Sequence, residues 1–282
     1  MSELLNKFIS WILYTSVFAA CCATGMCMAT EKLLIGHLPH FFTSLHVLVF
    51  CSTLLVYNVH YAIKKSSPEV SDRFAWSQHY KLYHYLLIGI GMAGCIYGVF
   101  VLPYPILLAC MVLGALSFAY SVPLLPFKNK KRLKDFGWIK ILVLTTVWTI
   151  VTSILPILNE HMNMGDYPYE IMLRFVFMFV LCVAFDIRDM QTDKGADIYT
   201  LPNIIGLKNS YLLMDSVMIL FVLFSVGQYF RYEHAWRLTA ELLTIICTKL
   251  AIEYTRRYPS DRVYLGLVDG MMLLLSILIL IK

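Results

Sequence analysis

Long apolar runs are the feature that most constrains what this chain can fold into. Of its 282 residues, 59% are hydrophobic and only 15% are charged. A helix needs roughly 17–25 mostly apolar residues to cross a bilayer, and nine runs of that kind can be placed along the sequence. They lie at residues 8–30, 39–63, 82–101, 103–120, 137–157, 169–187, 210–230, 235–254 and 262–281. The sequence therefore predicts an all-α polytopic membrane protein with nine transmembrane helices in a single domain over residues 1–282.

The distribution of basic residues predicts how these helices are oriented. If nine spans alternate across the membrane, 18 of the 23 lysines and arginines fall on one side. Such an excess marks the cytoplasmic side, which then holds the N-terminus and the loops after spans two, four and six. The C-terminus is expected on the opposite side, and a bacterial protein of this kind would lie in the plasma (inner) membrane. The same dispersal argues against nucleic-acid binding, despite the net charge of +5.

Several acidic residues stand together between two apolar runs, in DIRDMQTDKGADIYTLPNIIG at residues 186–206. If the helix before them continues, Asp186, Asp189, Asp193 and Asp197 share one narrow stripe. Like charges on one helix face repel one another, and carboxylate oxygens are preferred ligands of Mg²⁺. The stripe predicts a divalent-metal site at the cytoplasmic mouth of the protein. The alternative is a solvated acidic loop end.

Other polar and small residues within the apolar runs lead to more local predictions. The eight cysteines lack CxxC spacing, so we expect buried thiols rather than disulfides or a zinc site. Glu253 follows Lys249 by four residues, which predicts a helical ion pair, whereas Glu241 has no evident partner. Gly94 and Gly98 form a small-xxx-small face that favours close helix packing.

The string at 186–206 resembles the second aspartate-rich motif of the UbiA superfamily of intramembrane prenyltransferases, D-x-R-D-x-x-x-D followed by T-L-P and a glycine. A second resemblance lies at residues 120–124, YSVPL, and in the basic run at 128–134 that follows. It is similar to the family's Tyr-Ser-x-Pro-Leu and Lys/Arg loop after span four. The resemblance implies a UbiA-prenyltransferase-like bundle with an apolar, lipid-accessible interior. The residues that match the second motif are Asp186, Arg188, Asp189, Asp193, Thr200, Leu201, Pro202 and Gly206.

The first motif of this family is degenerate in the chain. Members usually carry N-D-x-x-D-x-x-x-D at the end of span two, where Asn58 matches the asparagine. Val59, Ala62 and Ser66 stand in the places of the three acids, and none of them can serve as an anionic metal ligand. One of the family's two carboxylate clusters is therefore missing.

The resemblance implies Mg²⁺-dependent transfer or processing of a polyprenyl diphosphate, with a small aromatic or lipophilic molecule as acceptor. Asp186, Asp189 and Asp193 would be the catalytic residues and the metal ligands. The alternative function, motivated by the missing acids, is a noncatalytic protein that binds isoprenoid lipid or a membrane partner. For the lysines and for Arg132, the alternative role is orientation and anchoring at the lipid headgroups. The residues expected to bind substrate are Asn58, Lys64, Tyr120, Lys131, Arg132, Arg188 and Lys194.

Overall fold

A computed structural model gives the fold and describes residues 2–63, 71–121, 137–195 and 198–282. Over these residues the chain is helical and contains no strand. π-helical segments lie at Ile150–Ile154 and at Tyr264–Val268, and a 3-10 turn lies at Met164–Asp166. The helices are α1 (Ser2–Tyr14), α2 (Val17–Ile35), α3 (Ser44–Ile63), α4 (Asp72–His79), α5 (Lys81–Val101), α6 (Tyr104–Ser121), α7 (Gly137–Thr149), α8 (Leu155–Asn159), α9 (Pro168–Arg188), α10 (Met190–Gly195), α11 (Leu201–Ile205), α12 (Leu207–Tyr232), α13 (Ala235–Arg257), α14 (Asp261–Val263) and α15 (Gly270–Ile281).

Six helical segments of the described chain are long enough and apolar enough to cross a membrane: Val17–Ile35, Ser44–Ile63, Lys81–Val101, Gly137–Asn159, Leu207–Tyr232 and Asp261–Ile281. The other three predicted spans coincide with α6, which has a shorter apolar part, and with α9 and α13, which carry charged residues such as Arg174 and Lys249. The predicted all-helical architecture is confirmed over the described residues, whereas the number of nine transmembrane helices stays a prediction.

Helix α9 lies at the centre of the bundle. The successive residues Leu181, Cys182, Val183 and Ala184 are all buried, although they point in different directions around the helix. The helix packs against α7 and α12, and residues of α2, α13 and α15 belong to the same core. The C-terminal end of α9 carries the first aspartates of the motif, so the surrounding helices determine what those carboxylates contact.

Large apolar side chains cover the outside of the bundle. Phe100 is 84% exposed and Phe230 is 76% exposed, and α5 alone presents several more exposed apolar side chains. Contiguous apolar surface of this kind is unusual on a protein surrounded by water. It is the surface expected for helices that face lipid.

The first predicted span, residues 8–30, is not one continuous helix. α1 ends at Tyr14 and α2 begins at Val17, because Ser16 adopts a left-handed conformation with φ 62°. A break of this kind frees backbone carbonyls that need partners inside a membrane. Arg73 donates to the Tyr14 carbonyl at 3.3 Å, and Asn58 donates to the Thr15 carbonyl at 3.0 Å. The break is therefore satisfied by side chains of α4 and α3.

The glycines of α5 allow close packing against α3. A side chain at Gly91 would place its Cβ 2.8 Å from the Cys51 carbonyl oxygen, and one at Gly98 would lie 3.0 Å from the Leu48 side chain. At Gly94 a Cβ would collide with the Cys51 side chain. The predicted role of Gly94 and Gly98 in close helix packing is confirmed.

A buried network of charges lies at the end of the bundle opposite the aspartate motif. Glu170, near the start of α9, pairs with Arg174 on the same helix and with Arg237 on α13. Arg237 also donates from Nε to Glu241 at 2.9 Å, which supplies the partner that the sequence did not reveal. Further along α13, towards its C-terminal end, Lys249 and Glu253 form the predicted ion pair at 3.0 Å. The network joins α9 to α13.

Candidate functional site

The aspartate motif lies at a break between two helices. α9 ends at Arg188, Asp189 occupies its C-cap position, and α10 begins at Met190. The prediction that one continuous helix carries all four aspartates in a single stripe is therefore wrong. The Asp193 amide still donates to the Asp189 carbonyl at 2.8 Å, so the two carboxylates stay on neighbouring turns. Asp197 lies outside the described residues.

A lysine that the sequence analysis did not single out holds two of the motif carboxylates together. The ammonium of Lys140, on α7, lies 2.9 Å from Asp186 Oδ1 and 2.7 Å from Asp193 Oδ2. The side chain of Lys140 is 10% exposed and that of Asp186 is 2% exposed. The signal was present in the sequence, because a lysine within an apolar span is costly unless it has an anionic partner.

One oxygen of the motif remains available to a ligand. Asp186 Oδ2 is buried and has no hydrogen-bond partner among the described residues. A buried carboxylate oxygen without a donor is energetically costly. Such an atom is often explained by a cation or water that completes the site.

The third carboxylate is held by its neighbour in sequence. Arg188 donates from Nε to Asp189 Oδ1 at 2.8 Å and from Nη2 to Asp189 Oδ2 at 3.1 Å. The Arg188 guanidinium also lies 4.9 Å from the centroid of the Phe185 ring. Its Nη1 is 3.8 Å from Asp261 Oδ1 and makes no hydrogen bond within the described part of the chain. Two nitrogens of Arg188 therefore hold it beside the aspartates, and its third nitrogen, Nη1, makes no hydrogen bond to the described residues.

Two further residues that the sequence analysis missed connect other helices to this site. Asp261, the first residue of α14, accepts a hydrogen bond at 3.0 Å from the backbone amide of Arg73, on α4. The Arg73 guanidinium lies 4.0 Å from the centroid of the Tyr61 ring. Asp261 thus lies between Arg188 and α4. No sequence pattern marks it, since it is separated from the motif by about 70 residues.

The Thr-Leu-Pro segment packs the motif against α7. Asn203 donates to the Met190 carbonyl at 3.1 Å and to the Thr200 hydroxyl at 3.2 Å, which ties α11 to α10. Gly137, the first residue of α7, lies so close to the Tyr199 carbonyl oxygen that a Cβ there would overlap it. Because Lys140 is one turn further along α7, this contact positions the lysine relative to Asp193.

The other residues predicted to bind substrate have different surroundings. Asn58 donates to the carbonyls of Thr15 and Leu54, at 3.0 and 2.8 Å, and its Oδ1 lies 2.6 Å from His84 Nδ1. These bonds use its polar atoms for helix packing, and none of the described hydrogen bonds joins it to the aspartates.

Tyr120 and Lys194 both lie on the elements that surround the motif. Tyr120, near the end of α6, is within electrostatic range of Lys140 and Asp186. Lys194 is exposed on α10. The predicted binding residues Lys64, Lys131 and Arg132 lie outside the described residues.

A second cluster of potential metal ligands lies near the opposite end of the bundle. Buried Cys27, Glu31 and His46 bring one ligand atom each within 4.8 Å of one another. His46 Nδ1 accepts a hydrogen bond from the Thr43 amide at 3.2 Å, which places the imidazole proton on Nε2. Nε2 then donates to Glu31 Oε2 at 2.6 Å. The nitrogen that a metal would need is already protonated, so we interpret this group as a buried hydrogen-bonded pair beside a thiol.

An all-helical bundle with apolar outer faces and a charged cluster at one end defines an integral membrane protein. A sequence profile of the UbiA prenyltransferase family matches residues 64–264, which include α9, the motif and Asp261. The chain therefore belongs to the UbiA prenyltransferase family. No curated protein matches it by sequence.

Solved structures of this family share the fold at low sequence identity. A UbiA homolog from Archaeoglobus fulgidus bound to Cd²⁺ superposes with a TM-score of 0.60 at 11% identity, covering 97% of this chain and 100% of that one. The same homolog bound to GPP and Mg²⁺ gives 0.51 at 13% identity, over 98% of each chain. A digeranylgeranylglyceryl phosphate synthase gives 0.54 at 14% identity, again over 98% of each chain. These TM-scores and coverages show a common fold. At identities this low the substrate has to be argued from the site.

Proposed function

We propose that this protein binds a polyprenyl diphosphate at the aspartate motif and transfers or otherwise processes its prenyl group within the membrane, with a small aromatic or lipophilic acceptor. The observation that carries the proposal is the convergence of Asp186 and Asp193 on Lys140, with Arg188 and Asp189 beside them. The relative bound to GPP and Mg²⁺ supports the class of substrate. The whole chain is proposed to form one membrane domain.

The chemistry that such a site has to perform is the separation of charge. When the allylic carbon–oxygen bond breaks, its electron pair leaves with the diphosphate, and an allylic cation remains. Lys140 and Arg188 are cations held at the mouth of an apolar bundle, where ammonium and guanidinium groups bind phosphate oxygens strongly. The exposed apolar helices would keep the prenyl chain and the acceptor in the lipid phase, away from water.

Magnesium is part of the proposal. The three aspartates are suitable ligands for it, on the condition that Lys140 moves away from them. Carboxylates are the ligand type that Mg²⁺ prefers, and Asp186 Oδ2 is buried without a partner. Asp186 Oδ1 and Asp193 Oδ2 already contact the Lys140 ammonium, so these oxygens can hold a metal only when Lys140 withdraws. Asp186, Asp189 and Asp193 would then hold the ion, which supplies Lewis-acid neutralisation of the leaving diphosphate.

The proposal is tested by supplying liposomes that contain the purified protein with labelled prenyl diphosphates of several chain lengths and Mg²⁺. Diphosphate release is the readout, since it does not require the acceptor to be known. We expect release above that of empty liposomes, and its loss in Asp186→Asn and Asp189→Asn. A working family member is run in parallel. If that member releases diphosphate and this protein does so at no chain length, the enzymatic proposal is wrong.

A noncatalytic isoprenoid-binding function is the second candidate. It is favoured by the replacement of the first-motif acids, Val59 and Ala62 among them, and by the use of Asn58 in helix packing. It predicts that a labelled prenyl diphosphate is retained by the protein without release of diphosphate, and that Asp186→Asn weakens retention. Retention that is unchanged in Asp186→Asn would count against this function as well.

The proposed orientation places the motif at the cytoplasmic face. In the nine-span layout predicted from the sequence, 18 of the 23 lysines and arginines fall on the side that carries the aspartates. A reporter enzyme that is active only outside the cytoplasm, fused after Lys282, is expected to be active. Activity of the same reporter when it is fused before Met1 would overturn this orientation.

A further inference from the structure

The position between Asp186 and Asp193 is filled by a cation of the chain itself. The Lys140 ammonium is 2.9 Å from one carboxylate and 2.7 Å from the other, and all three side chains are largely buried. Two anions that face each other in an apolar region need a positive charge between them, because their repulsion is poorly screened there. Lys140 supplies that charge.

Lysine reaches this position because α7 starts directly beside the motif. Gly137 packs on the Tyr199 carbonyl, and Lys140 follows one turn later on the face that α7 presents to α9. A metal ion bound to either aspartate would meet the positive charge of the Lys140 ammonium within a few ångströms. Its affinity for the two aspartates would fall accordingly, since like charges disfavour each other's binding.

We infer that Lys140 is an internal competitor of the divalent cation: its ammonium occupies the place between Asp186 and Asp193 and has to withdraw before these two carboxylates bind a metal together. Asp186 Oδ2 is buried without a hydrogen-bond partner among the described residues, so it is an oxygen that a cation can approach beforehand. A bound diphosphate offers the displaced ammonium new oxygen partners. Binding of the metal and binding of the diphosphate therefore support each other through Lys140.

The inference is tested by measuring Mn²⁺ binding to the full chain in detergent, using electron paramagnetic resonance of free Mn²⁺ and no diphosphate. We expect Lys140→Met to bind Mn²⁺ about tenfold more tightly than the unchanged protein, or tighter still. Lys140→Arg keeps the positive charge and is expected to bind Mn²⁺ as weakly as the unchanged protein. Adding Asp186→Asn to Lys140→Met should abolish the gain, which locates the bound ion at the motif.

The chain offers a matched control in Lys249. This lysine also contacts two carboxylates, Asp215 at 2.6 Å and Glu253 at 3.0 Å, but it lies outside the motif. Lys249→Met is expected to leave Mn²⁺ affinity unchanged. Equal affinities in Lys140→Met and the unchanged protein, or an equal gain in Lys249→Met, would overturn the inference.

Removal of Lys140 also takes a positive charge away from Asp186 and Asp193, so stability is measured beside binding. Lys140→Met and Lys140→Gln are expected to have lower thermal midpoints, and Mn²⁺ should raise the midpoint of each by more than it raises that of the unchanged protein. An equal rise in all three would contradict the inference. The inference rests on the proposed function for the role of the site, but these readouts need no prenyl diphosphate, so either can fail without the other.

Discussion

Arg188 and Asp189 face each other through two parallel hydrogen bonds, 2.8 Å from Nε to Oδ1 and 3.1 Å from Nη2 to Oδ2. The two residues are neighbours in sequence at the point where α9 ends. A guanidinium and a carboxylate in this arrangement fix each other's orientation, because both groups are planar. The pair thus determines how the chain turns from α9 into α10, and it leaves one Arg188 nitrogen directed at Asp261.

Arg188→Lys should weaken this turn although it keeps the charge. A lysine cannot make two parallel hydrogen bonds to one carboxylate, and a hydrogen bond to a charged group contributes roughly 1.5–3 kcal/mol. We expect the free energy of unfolding to fall by an amount in the lower part of that range, measured by circular dichroism in detergent. Asp189→Asn should cause a similar loss, and the double variant should lose less than the sum of the two. Additive losses would show that the pair is not coupled.

Replacement of Asn58 distinguishes helix packing from substrate binding. Asn58→Leu keeps the approximate volume but removes the bonds to Thr15, Leu54 and His84. We expect a loss of roughly 1–3 kcal/mol in stability, since buried partners are left unsatisfied. Mn²⁺ affinity at the motif should not change. A variant with unchanged stability and impaired retention of prenyl diphosphate would instead restore the substrate-binding role predicted from the sequence.

Replacement of Gly137 tests the contact that positions α7. Gly137→Ala would force the start of α7 away from the Tyr199 carbonyl, and overpacking typically costs about 1–3 kcal/mol. We expect a lower thermal midpoint and, because Lys140 shifts with α7, an altered Mn²⁺ affinity. Gly114→Ala is the matched control, since a Cβ on α6 at that position meets no atom within 4 Å. If both variants behave alike, the close approach at Gly137 has no energetic role.

The charge network at the opposite end is expected to be structural only. Arg237→Met leaves Glu170 and Glu241 with a deficit of positive charge, and removal of one partner from a buried ion pair costs about 3–5 kcal/mol. We expect a large drop in the thermal midpoint, while the folded fraction keeps its Mn²⁺ affinity and any diphosphate release. Arg231→Met, at an exposed position of α12, serves as control. A selective loss of activity in Arg237→Met without a loss of stability would show that this network takes part in function.

The sequence predicted the helices better than it predicted their interruptions. Apolar length is a local property, so the bounds of α3, α5 and α12 follow from the runs of residues that form them. The breaks at Ser16 and at Asp189 could not be predicted in the same way. Each is stabilised by side chains that approach the broken segment, Arg73 in the first case and Arg188 in the second. At Ser16 those partners come from other helices, and a break within a membrane becomes favourable only once such partners are in place.

For the candidate site, the motif identified Asp186, Asp189 and Asp193 and the family to which the chain belongs. It also led to the prediction that these three carboxylates are ligands of a metal ion. The structure adds Lys140 and Asp261, which lie far from the motif in sequence. The position of Lys140 within an apolar run indicated that it needs an anionic partner but not which one, and no pattern marked Asp261.

The sequence by itself determined that this chain is a helical membrane protein with a cluster of aspartates at the end of one helix. It did so because hydrophobic length and motif spacing are written along the chain. Only the tertiary structure decided which cation compensates those aspartates. The charge state of a buried carboxylate depends on what lies within a few ångströms of it, and for Asp186 and Asp193 that neighbour is Lys140, brought there by the packing of α7 against α9.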